Sequence, residues 1–322
     1  MKKPLFLIFS FFLLLSGLSA QQLAVADENA MRKKEDSLQL LAKNLIVDSM
    51  TASRMRNDSL FVRTLIRSLQ VKHSFYYPFD SLKGVSKVYA PDSTFRIFTW
   101  TLAFDDYYAR QRGAIQMRTA DGSLKLIPLH DVSEFTEAPH DSVRSKNNWI
   151  GAAYYNIIKT EHKGKPFYTL FGFDNHSVRS NKKWIEVLHF DDRGQAVFGG
   201  PFFSFEQDTA KKKRPVQYRY SIEYKKEAST LVNYIEDEGM ILIDHLVSEN
   251  DEPEKPYTFI PDGDYEGFKW QNGKWVHIEK VFDFKLEDGQ FPMPDPLLDD
   301  KGTVNEEKLN NRNEKNKTRK NR

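Results

Sequence analysis

The chain has no cysteine among its 322 residues. This absence excludes disulfide bonds, thiolate nucleophiles, an N-terminal lipidated cysteine and zinc sites with cysteine ligands. Stability must therefore come from an apolar core, and a chain of about 300 residues can bury roughly three quarters of its unfolded surface. Aromatic side chains make up 13% of the sequence, so the material for such a core is present.

Sequence signatures of common enzyme classes are also missing. The chain has no Gly-x-Ser-x-Gly elbow, no His-Glu-x-x-His motif, no P-loop and no glycine fingerprint for dinucleotides. The eight histidines never stand four residues apart. Two of them, His189 and His245, lie in apolar runs, which is typical of hydrogen-bonded core residues rather than of metal ligands. We therefore predict no catalytic residue and no cofactor.

Long apolar runs are absent except at the N-terminus. Lys2 and Lys3 precede an apolar run over residues 5–15, and Ser19-Ala20 forms a small-residue exit. This layout is typical of a secretory signal peptide, and the run is too short for a comfortable membrane span. An uncleaved anchor is the alternative. We predict a signal peptide at 1–20, a mature chain without a transmembrane span, and a periplasmic, envelope-associated or extracellular location.

Neither sign of charge dominates the rest of the chain. Residues 1–20 carry two lysines and no acidic residue, and the remainder has equal numbers of basic and acidic side chains. A neutral surface lacks the positive field that nucleic-acid binding requires, so the sequence argues against nucleic acid as a partner.

Apolar residues recur at three- and four-residue steps between residues 27 and 70, which predicts helix. The recurring residues are Leu38, Leu41, Leu45, Met55, Leu60, Phe61, Leu65 and Leu69. The segment Asn57-Asp58-Ser59 offers a cap and predicts a division into two helices at that point. The apolar stripe is no wider than packing requires, so we predict a helical arm at 21–75 that packs on the rest of the chain. A partner-binding helix is the alternative.

From about residue 84 to residue 282 the apolar period changes to two, which predicts strands. In one example, Tyr218, Tyr220, Ile222 and Tyr224 alternate with Arg219, Ser221 and Glu223. This alternation predicts a strand with one wet face. The runs 184–190 and 240–246 are apolar on both faces and predict interior strands.

Short turn sequences separate the predicted strands. Asp121-Gly122 and Asn272-Gly273 are typical of two-residue hairpin turns, because glycine and asparagine tolerate positive φ. Lys163-Gly164 and Asp192-Arg193-Gly194 indicate similar, slightly longer turns. No βαβ spacing is present. We predict a mainly β domain at 76–297, an antiparallel meander that forms a barrel, a sandwich or an irregular propeller-like sheet.

The dipeptide Phe-Asp recurs along the β-rich region. It occurs at 79–80, 104–105, 173–174, 190–191 and 282–283, at gaps too irregular for a repeat architecture. Phenylalanine is favoured in strands, whereas aspartate starts a turn by bonding its own following backbone. We interpret these carboxylates as turn residues rather than as catalytic acids.

The end of the sequence has a different composition. Three prolines between residues 291 and 296 are followed by a charged, aromatic-free stretch. Such a stretch buries too little apolar surface to fold alone, so we predict a disordered charged tail at 298–322.

The connection 174–184 is the candidate for ligand binding, because it is the longest polar connection inside the most apolar hairpin. Binding residues favour loops on rigid scaffolds. The candidate residues are Asp174, Asn175, His176, Arg179 and Trp184. This set could hold a sugar or an anionic group; an ordinary exposed hairpin loop is the alternative.

The segment Pro-Asp-Gly-Asp-Tyr-Glu-Gly is the candidate for a metal. Its Asp262, Asp264 and Glu266 stand at alternate positions, like the first ligands of an EF-hand calcium loop. The remaining ligands of that loop are missing, and Pro-Asp-Gly-Asp makes a good turn by itself. We interpret the segment as a turn, with calcium binding as the alternative.

A set of distinctive stretches lies between about 145 and 285. They are NWIGAAYYNII, KGKPFYTLFGFD, KKWIEVLHFDDRGQAVFG, YSIEYKK, MILIDHL and YTFIPDGDYEGFKWQNGKWVHIEKV. Together they resemble a family of exported proteins from Bacteroidota-type bacteria. That family has no assigned activity, so the resemblance implies a Gram-negative envelope setting and no mechanism.

These features predict an exported envelope protein that binds a partner protein or a glycan through loops at one end of its sheet, without catalysis. The alternative is a hydrolase acting on envelope glycans through paired carboxylates, which would need two acids roughly 5–10 Å apart across a cleft. The sequence favours binding, because turns explain nearly all of the acidic residues.

Overall fold

The computed structural model describes residues 23–105, 107–209 and 214–281. The predicted signal peptide at 1–20 and the predicted tail at 298–322 lie outside the described residues. Two helices come first and strands dominate the rest, which confirms a mainly β fold with an N-terminal helical arm. Neither of these helices has both the length and the apolar character needed to cross a membrane.

The helical arm consists of α1 (Val25–Val47) and α2 (Thr51–Leu69). The predicted division at Asn57-Asp58-Ser59 was wrong, because the break falls at residues 48–50. There the Asp48 carboxylate accepts hydrogen bonds from the Met50 amide and the Ser53 hydroxyl. Asp58 lies inside α2, where its carboxylate accepts the indole N–H of Trp100 at 3.0 Å and pairs with Arg112 at 3.0 Å.

Fifteen strands follow in the part of the chain that the structure describes. In chain order they are β1 (Ser86–Tyr89), β2 (Phe95–Ala103), β3 (Ala109–Met117), β4 (Lys125–His130), β5 (Arg144–Ser145), β6 (Ala153–His162), β7 (Lys165–Asp174), β8 (Ser180–Phe190), β9 (Ala196–Phe198), β10 (Phe203–Ser204), β11 (Arg219–Lys225), β12 (Val232–Ile235), β13 (Met240–Ser248), β14 (Phe259–Gln271) and β15 (Lys274–Ile278). They form three sheets, and no closed barrel is present among these residues.

The sheets are mostly antiparallel meanders, as predicted. The first sheet has the order β1-β2-β3-β4, and the third has the order β10-β15-β14-β13-β12. The second has the order β5-β9-β8-β7-β6, with β11 paired to the half of β8 that β9 leaves free. The exception is β10, which pairs with β15 in parallel. The predicted interior strands, 184–190 and 240–246, lie in β8 and β13 with a partner on each side.

Three apolar cores lie between successive layers, in the order helical arm, first sheet, second sheet and third sheet. Met31, Leu38, Phe61 and Leu65 of the arm pack on the outer face of the first sheet, which confirms that the arm packs on the β-rich region. A second core lies between the first and second sheets, and a third between the second and third sheets. The second sheet is therefore covered on both faces, which is why β8 is apolar on both.

The turn predictions were partly right. Lys163-Gly164 and Asn272-Gly273 each form a two-residue connection in which both residues have positive φ, as a type I′ turn requires. Asp121-Gly122 is not a two-residue turn, because it lies in a longer connection between Met117 and Lys125.

The predicted wet face of β11 was also wrong at one position. Arg219 is fully buried, and its guanidinium is satisfied there because it pairs with Glu186 at 3.3 Å and donates to the carbonyls of Pro139 and Ser142. The segment around residue 140 therefore covers this end of the strand.

Candidate functional site

A groove of about 380 Å³ runs beside β11, which forms an edge of the second sheet in the described part of the chain. We call it the edge groove. Polar side chains of His140, Lys182, Ser221 and Glu223 line one side of it. Leu246, Pro256 and Phe259 provide an apolar wall. The remaining lining residues are Tyr220, Ile222, His245 and Glu266.

Glu266 is held in place by a chain of buried polar groups. Its carboxylate accepts the Tyr220 hydroxyl at 2.6 Å and lies 3.3 Å from Nε2 of His277. Nδ1 of His277 lies 2.8 Å from Asp208, which in turn pairs with Arg214 at 2.7 Å. Burial acts to raise the pKa of Glu266, but hydrogen bonds from His277 and Tyr220 outweigh it and lower that pKa. Glu266 is therefore an ionised acceptor at neutral pH.

Tyr220 holds its proton firmly. Burial, and then the neighbouring Glu266 carboxylate, raise the pKa of Tyr220 well above its ordinary value. Its hydroxyl therefore stays a donor to Glu266 over the whole physiological range of pH.

His140 and Ser221 form the neutral part of the groove. Nε2 of His140 lies 2.9 Å from Oγ of Ser221, and the imidazole stacks on the buried Trp184 ring at a centroid distance of 5.6 Å. Burial, and then the nearby Arg219 and Lys182, lower the pKa of His140 to about 4. The imidazole is therefore neutral at pH 7. In the part of the chain that the structure describes, the His140 ring has this one side-chain hydrogen bond.

Glu223 is the second ionised carboxylate of the groove. It accepts the Ser180 hydroxyl at 2.7 Å, lies 3.3 Å from Nζ of Lys182, and lies 3.7 Å from Nε2 of His176. Burial acts to raise the pKa of Glu223, but the contacts with Ser180 and Lys182 outweigh it and lower that pKa. Positive and negative groups thus alternate along the groove, and no field of one sign develops.

The predicted loop residues do not form one site. Asp174 and His176 line a separate cleft of about 200 Å³, which we call the loop cleft. Asn175 accepts a hydrogen bond from Lys226. Arg179 stacks on the Tyr257 ring at 3.5 Å and so points elsewhere. Trp184 is buried and supports the edge groove from beneath by its stacking on His140.

The loop cleft lies between the β7–β8 connection and residues of the first sheet. Gln111 and Asp131 line it together with Tyr107, a residue that is 81% exposed. The Asp131 carboxylate accepts from the amides of Gln111, Ser133 and Gly151 and from the Ser133 hydroxyl. Asp131 therefore holds the backbone of the cleft together and has little capacity left for a ligand.

The three candidate calcium ligands face different surroundings. Asp262, Asp264 and Glu266 lie within β14 rather than in a turn, so the turn interpretation was wrong. Residues 262–264 form a bulge opposite His245, with Gly263 at φ +95°. Asp262 faces His245 at 2.8 Å, Asp264 is exposed, and Glu266 faces Tyr220. Among residues 23–105, 107–209 and 214–281, no three His, Asp or Glu side chains are grouped so that they could hold a metal ion.

Sequence reasoning missed the pairs of residues that line the edge groove or support it from behind. His140 and Ser221 are 81 residues apart, and Asp208 and His277 are 69 residues apart. No local spacing connects such pairs. The alternation in β11 and the apolar run in β13 were visible, but their mutual placement was not.

The comparisons with known proteins add no relative. No protein-family model, curated protein or solved structure matches the chain.

Proposed function

We propose that the protein is a non-enzymatic binding protein whose edge groove holds a neutral glycan. The observation that carries this proposal is the combination of groups along β11. Two ionised carboxylates, Glu223 and Glu266, stand beside the neutral pair His140 and Ser221 and opposite an apolar wall.

Each part of the groove matches a part of a sugar ring. Carboxylates accept hydrogen bonds only, so Glu223 and Glu266 suit ligand hydroxyls that donate. A neutral imidazole and a hydroxyl both donate and accept, so His140 and Ser221 suit the remaining hydroxyls. The apolar face of a sugar ring can lie against Phe259, since ligand sites combine apolar walls with a few placed polar groups.

The balance of charges supports a neutral ligand over an ionic one. Lys182 lies 3.3 Å from Glu223, and His245 lies 2.8 Å from Asp262. The charge of Glu223 is thus compensated by Lys182 inside the protein. A phosphate or a polycation would find no field of one sign to attract it.

The carboxylates of the groove do not support the alternative, a glycan hydrolase. Such an enzyme needs one carboxylic acid that keeps its proton at neutral pH as well as one carboxylate. The pKa values of Glu223 and Glu266 are both lowered, so neither is a proton donor there. Burial raises the pKa of Glu186, but that side chain is enclosed with Arg219 and does not line the groove.

Binding can be tested with the purified chain that starts at Gln21. The probes are soluble chito-, cello- and malto-oligosaccharides, with an unrelated peptide library as the comparison, measured by calorimetry. We expect one glycan series to bind and Glu223→Gln to weaken it at least about tenfold, because a charge-assisted hydrogen bond is lost.

The matched control is Glu236→Gln, the same change at an exposed turn position between β12 and β13. It should bind like the parent chain. Thermal midpoints of both variants should equal that of the parent, so that lost binding is not lost folding. Binding of peptides without any glycan, or an unchanged affinity in Glu223→Gln, would overturn the proposal.

We also propose that the chain works after export to the envelope. The support is the signal-peptide layout of residues 1–20 and the resemblance to exported proteins of Bacteroidota-type bacteria. The intact mass of the protein recovered from its native envelope should match a chain whose first residue is Gln21. A mature form that retains Lys2 and Lys3 would contradict the export proposal and leave the glycan proposal untouched.

A further inference from the structure

We infer that the loop cleft is a second sugar subsite, so that one oligosaccharide spans the loop cleft and the edge groove. This inference rests on the proposed function of the edge groove. It names the length of the ligand and a second set of residues that contact it.

The two clefts share a wall. His176 lines the loop cleft, and its Nε2 lies 3.3 Å from Nζ of Lys182 and 3.7 Å from Glu223, both of which line the edge groove. Its Nδ1 lies 3.6 Å from Asp174 on the other side. A row of polar side chains in near contact thus leads from Asp174 to Glu223. A ligand in the edge groove therefore ends one side chain away from the loop cleft.

Asp174 is the carboxylate of the loop cleft that its protein neighbours use least. Its nearest contacts are Nε2 of Gln111 at 3.5 Å and Nδ1 of His176 at 3.6 Å, both long for a hydrogen bond. Asp131, in contrast, is fully engaged with backbone amides. The side chain of Asp174 is 19% exposed, so a ligand hydroxyl can reach it.

Tyr107 supplies a flat apolar surface beside this carboxylate. The residue is 81% exposed. The ring is not on an unsupported loop, because Asp105 accepts hydrogen bonds from the amides of Tyr107 and Tyr108 at 2.7 Å. An exposed ring on a fixed backbone next to an uncommitted acceptor suits one further sugar unit.

The order of the groups fits a chain of neutral sugars better than a peptide. A peptide that binds by strand addition needs paired backbone donors and acceptors along a sheet edge. The loop cleft instead offers side chains: the Asp174 acceptor, the Gln111 amide, the His176 imidazole and the Tyr107 ring. Each of these matches hydroxyls or the apolar face of a sugar ring.

The test uses the full mature chain and compares short with long oligosaccharide probes. Disaccharides and hexasaccharides of the chito-, cello- and malto- series are titrated by calorimetry into the parent chain, Asp174→Asn and Tyr107→Ala. We expect the parent to bind the hexasaccharide of one series about tenfold more tightly than its disaccharide. Both variants should lose that gain and keep the disaccharide affinity. Asp237→Asn, at an exposed turn position, is the matched control and should keep the gain.

The two proposals fail in different ways. If the parent shows no gain with length, or if Asp174→Asn and Tyr107→Ala keep the gain, the second subsite is wrong while glycan binding in the edge groove stands. If the variants weaken disaccharide and hexasaccharide equally, the loop cleft is the only sugar site and the inferred span is wrong. If no oligosaccharide binds the parent, the proposed function fails and this inference fails with it.

Discussion

Asp191 accepts hydrogen bonds from the backbone amides of Arg193 and Gln195 at 2.9 and 2.8 Å, and Asp105 does the same for Tyr107 and Tyr108. At these two positions the interpretation of Phe-Asp as a strand end followed by a turn residue is confirmed. Asp174 is different, because its carboxylate faces the loop cleft and caps no turn. The sequence could not separate these cases, since turn bonds are local and cleft contacts are not.

The different roles of Phe190 and Asp191 predict that substitutions at the two positions change the stability by very different amounts. Phe190 packs edge-on against Phe95 at 5.3 Å and is partly buried, so Phe190→Ala should lower the free energy of unfolding by about 2–4 kcal/mol. Asp191→Asn should change it by less than about 1 kcal/mol, because asparagine makes the same turn bonds. Urea unfolding of both variants measures this. A larger loss from the asparagine variant would contradict the turn role.

His140 should make stability depend on pH. Its folded pKa of about 4 lies below the unfolded value of about 6.5, so the folded state favours the neutral imidazole. The resulting stabilisation is complete above pH 6.5 and is lost as the pH falls from 6.5 towards 4. Because water reaches part of the ring, we expect the loss to be about 1–2 kcal/mol.

The control for this prediction is His140→Gln, which cannot take up a proton. The difference in unfolding free energy between parent and variant, measured by urea unfolding at several pH values, should shrink between pH 6.5 and 4. Other histidines and the carboxylates titrate in both proteins and cancel in the difference. A difference that stays constant over this range would rule out the assigned role of His140.

At the scale of elements, periodicity predicted strands well wherever burial alone decides. The runs 184–190 and 240–246 are apolar on both faces and became β8 and β13. The predictions failed at positions where contacts with residues far away in the sequence determine the local structure. Asp58 looks like a helix cap but bonds Trp100, and Pro-Asp-Gly-Asp looks like a turn but forms a bulge, because β13 pairs with β14 on both sides of it.

The buried pair of Glu186 and Arg219 joins β8 to β11 and should act as a unit. Glu186→Gln leaves the Arg219 guanidinium without its counter-charge in the core, so we expect a loss of about 3–5 kcal/mol in unfolding free energy. The double variant Glu186→Leu with Arg219→Met should lose less unfolding free energy than the sum of the losses in Glu186→Leu alone and Arg219→Met alone.

Urea unfolding of the single and double variants gives the coupling between the two positions. Glu249→Gln breaks an exposed pair with Lys225 and serves as the control, with no change expected beyond error. Strict additivity of the buried substitutions would show that the two side chains stabilise the fold independently and would contradict the prediction.

At the scale of the whole molecule, composition and period predicted a mainly β chain with a packed helical arm. They did not predict how the layers follow one another, namely arm, first sheet, second sheet and third sheet. That order depends on contacts between segments far apart in sequence. The edge groove depends on it too, since its two sides come from the second and third sheets.

The end of the chain provides the last prediction. Residues 298–322 contain Leu298, Val304 and Leu309 as their only large aliphatic side chains and no aromatic ring. Burying these would gain about 1.5–3 kcal/mol each, whereas ordering each residue of the stretch costs about 1–2 kcal/mol in backbone entropy. The cost exceeds the gain, so a chain that ends at residue 297 should keep the parent thermal midpoint within error.

A deletion at the N-terminal end serves as the positive control, because it removes a segment that the fold requires. Removing residues 21–47 deletes α1 with Met31, Leu38 and Leu45, which are buried against the first sheet. Losing each of these large side chains from a core costs about 2–5 kcal/mol, and together that approaches the whole stability of a domain. We therefore expect this deletion to abolish soluble, cooperatively melting protein while the chain ending at 297 melts like the parent. A drop of several degrees in the midpoint of the chain ending at 297 would mean that residues 298–322 bury more apolar surface than their composition allows.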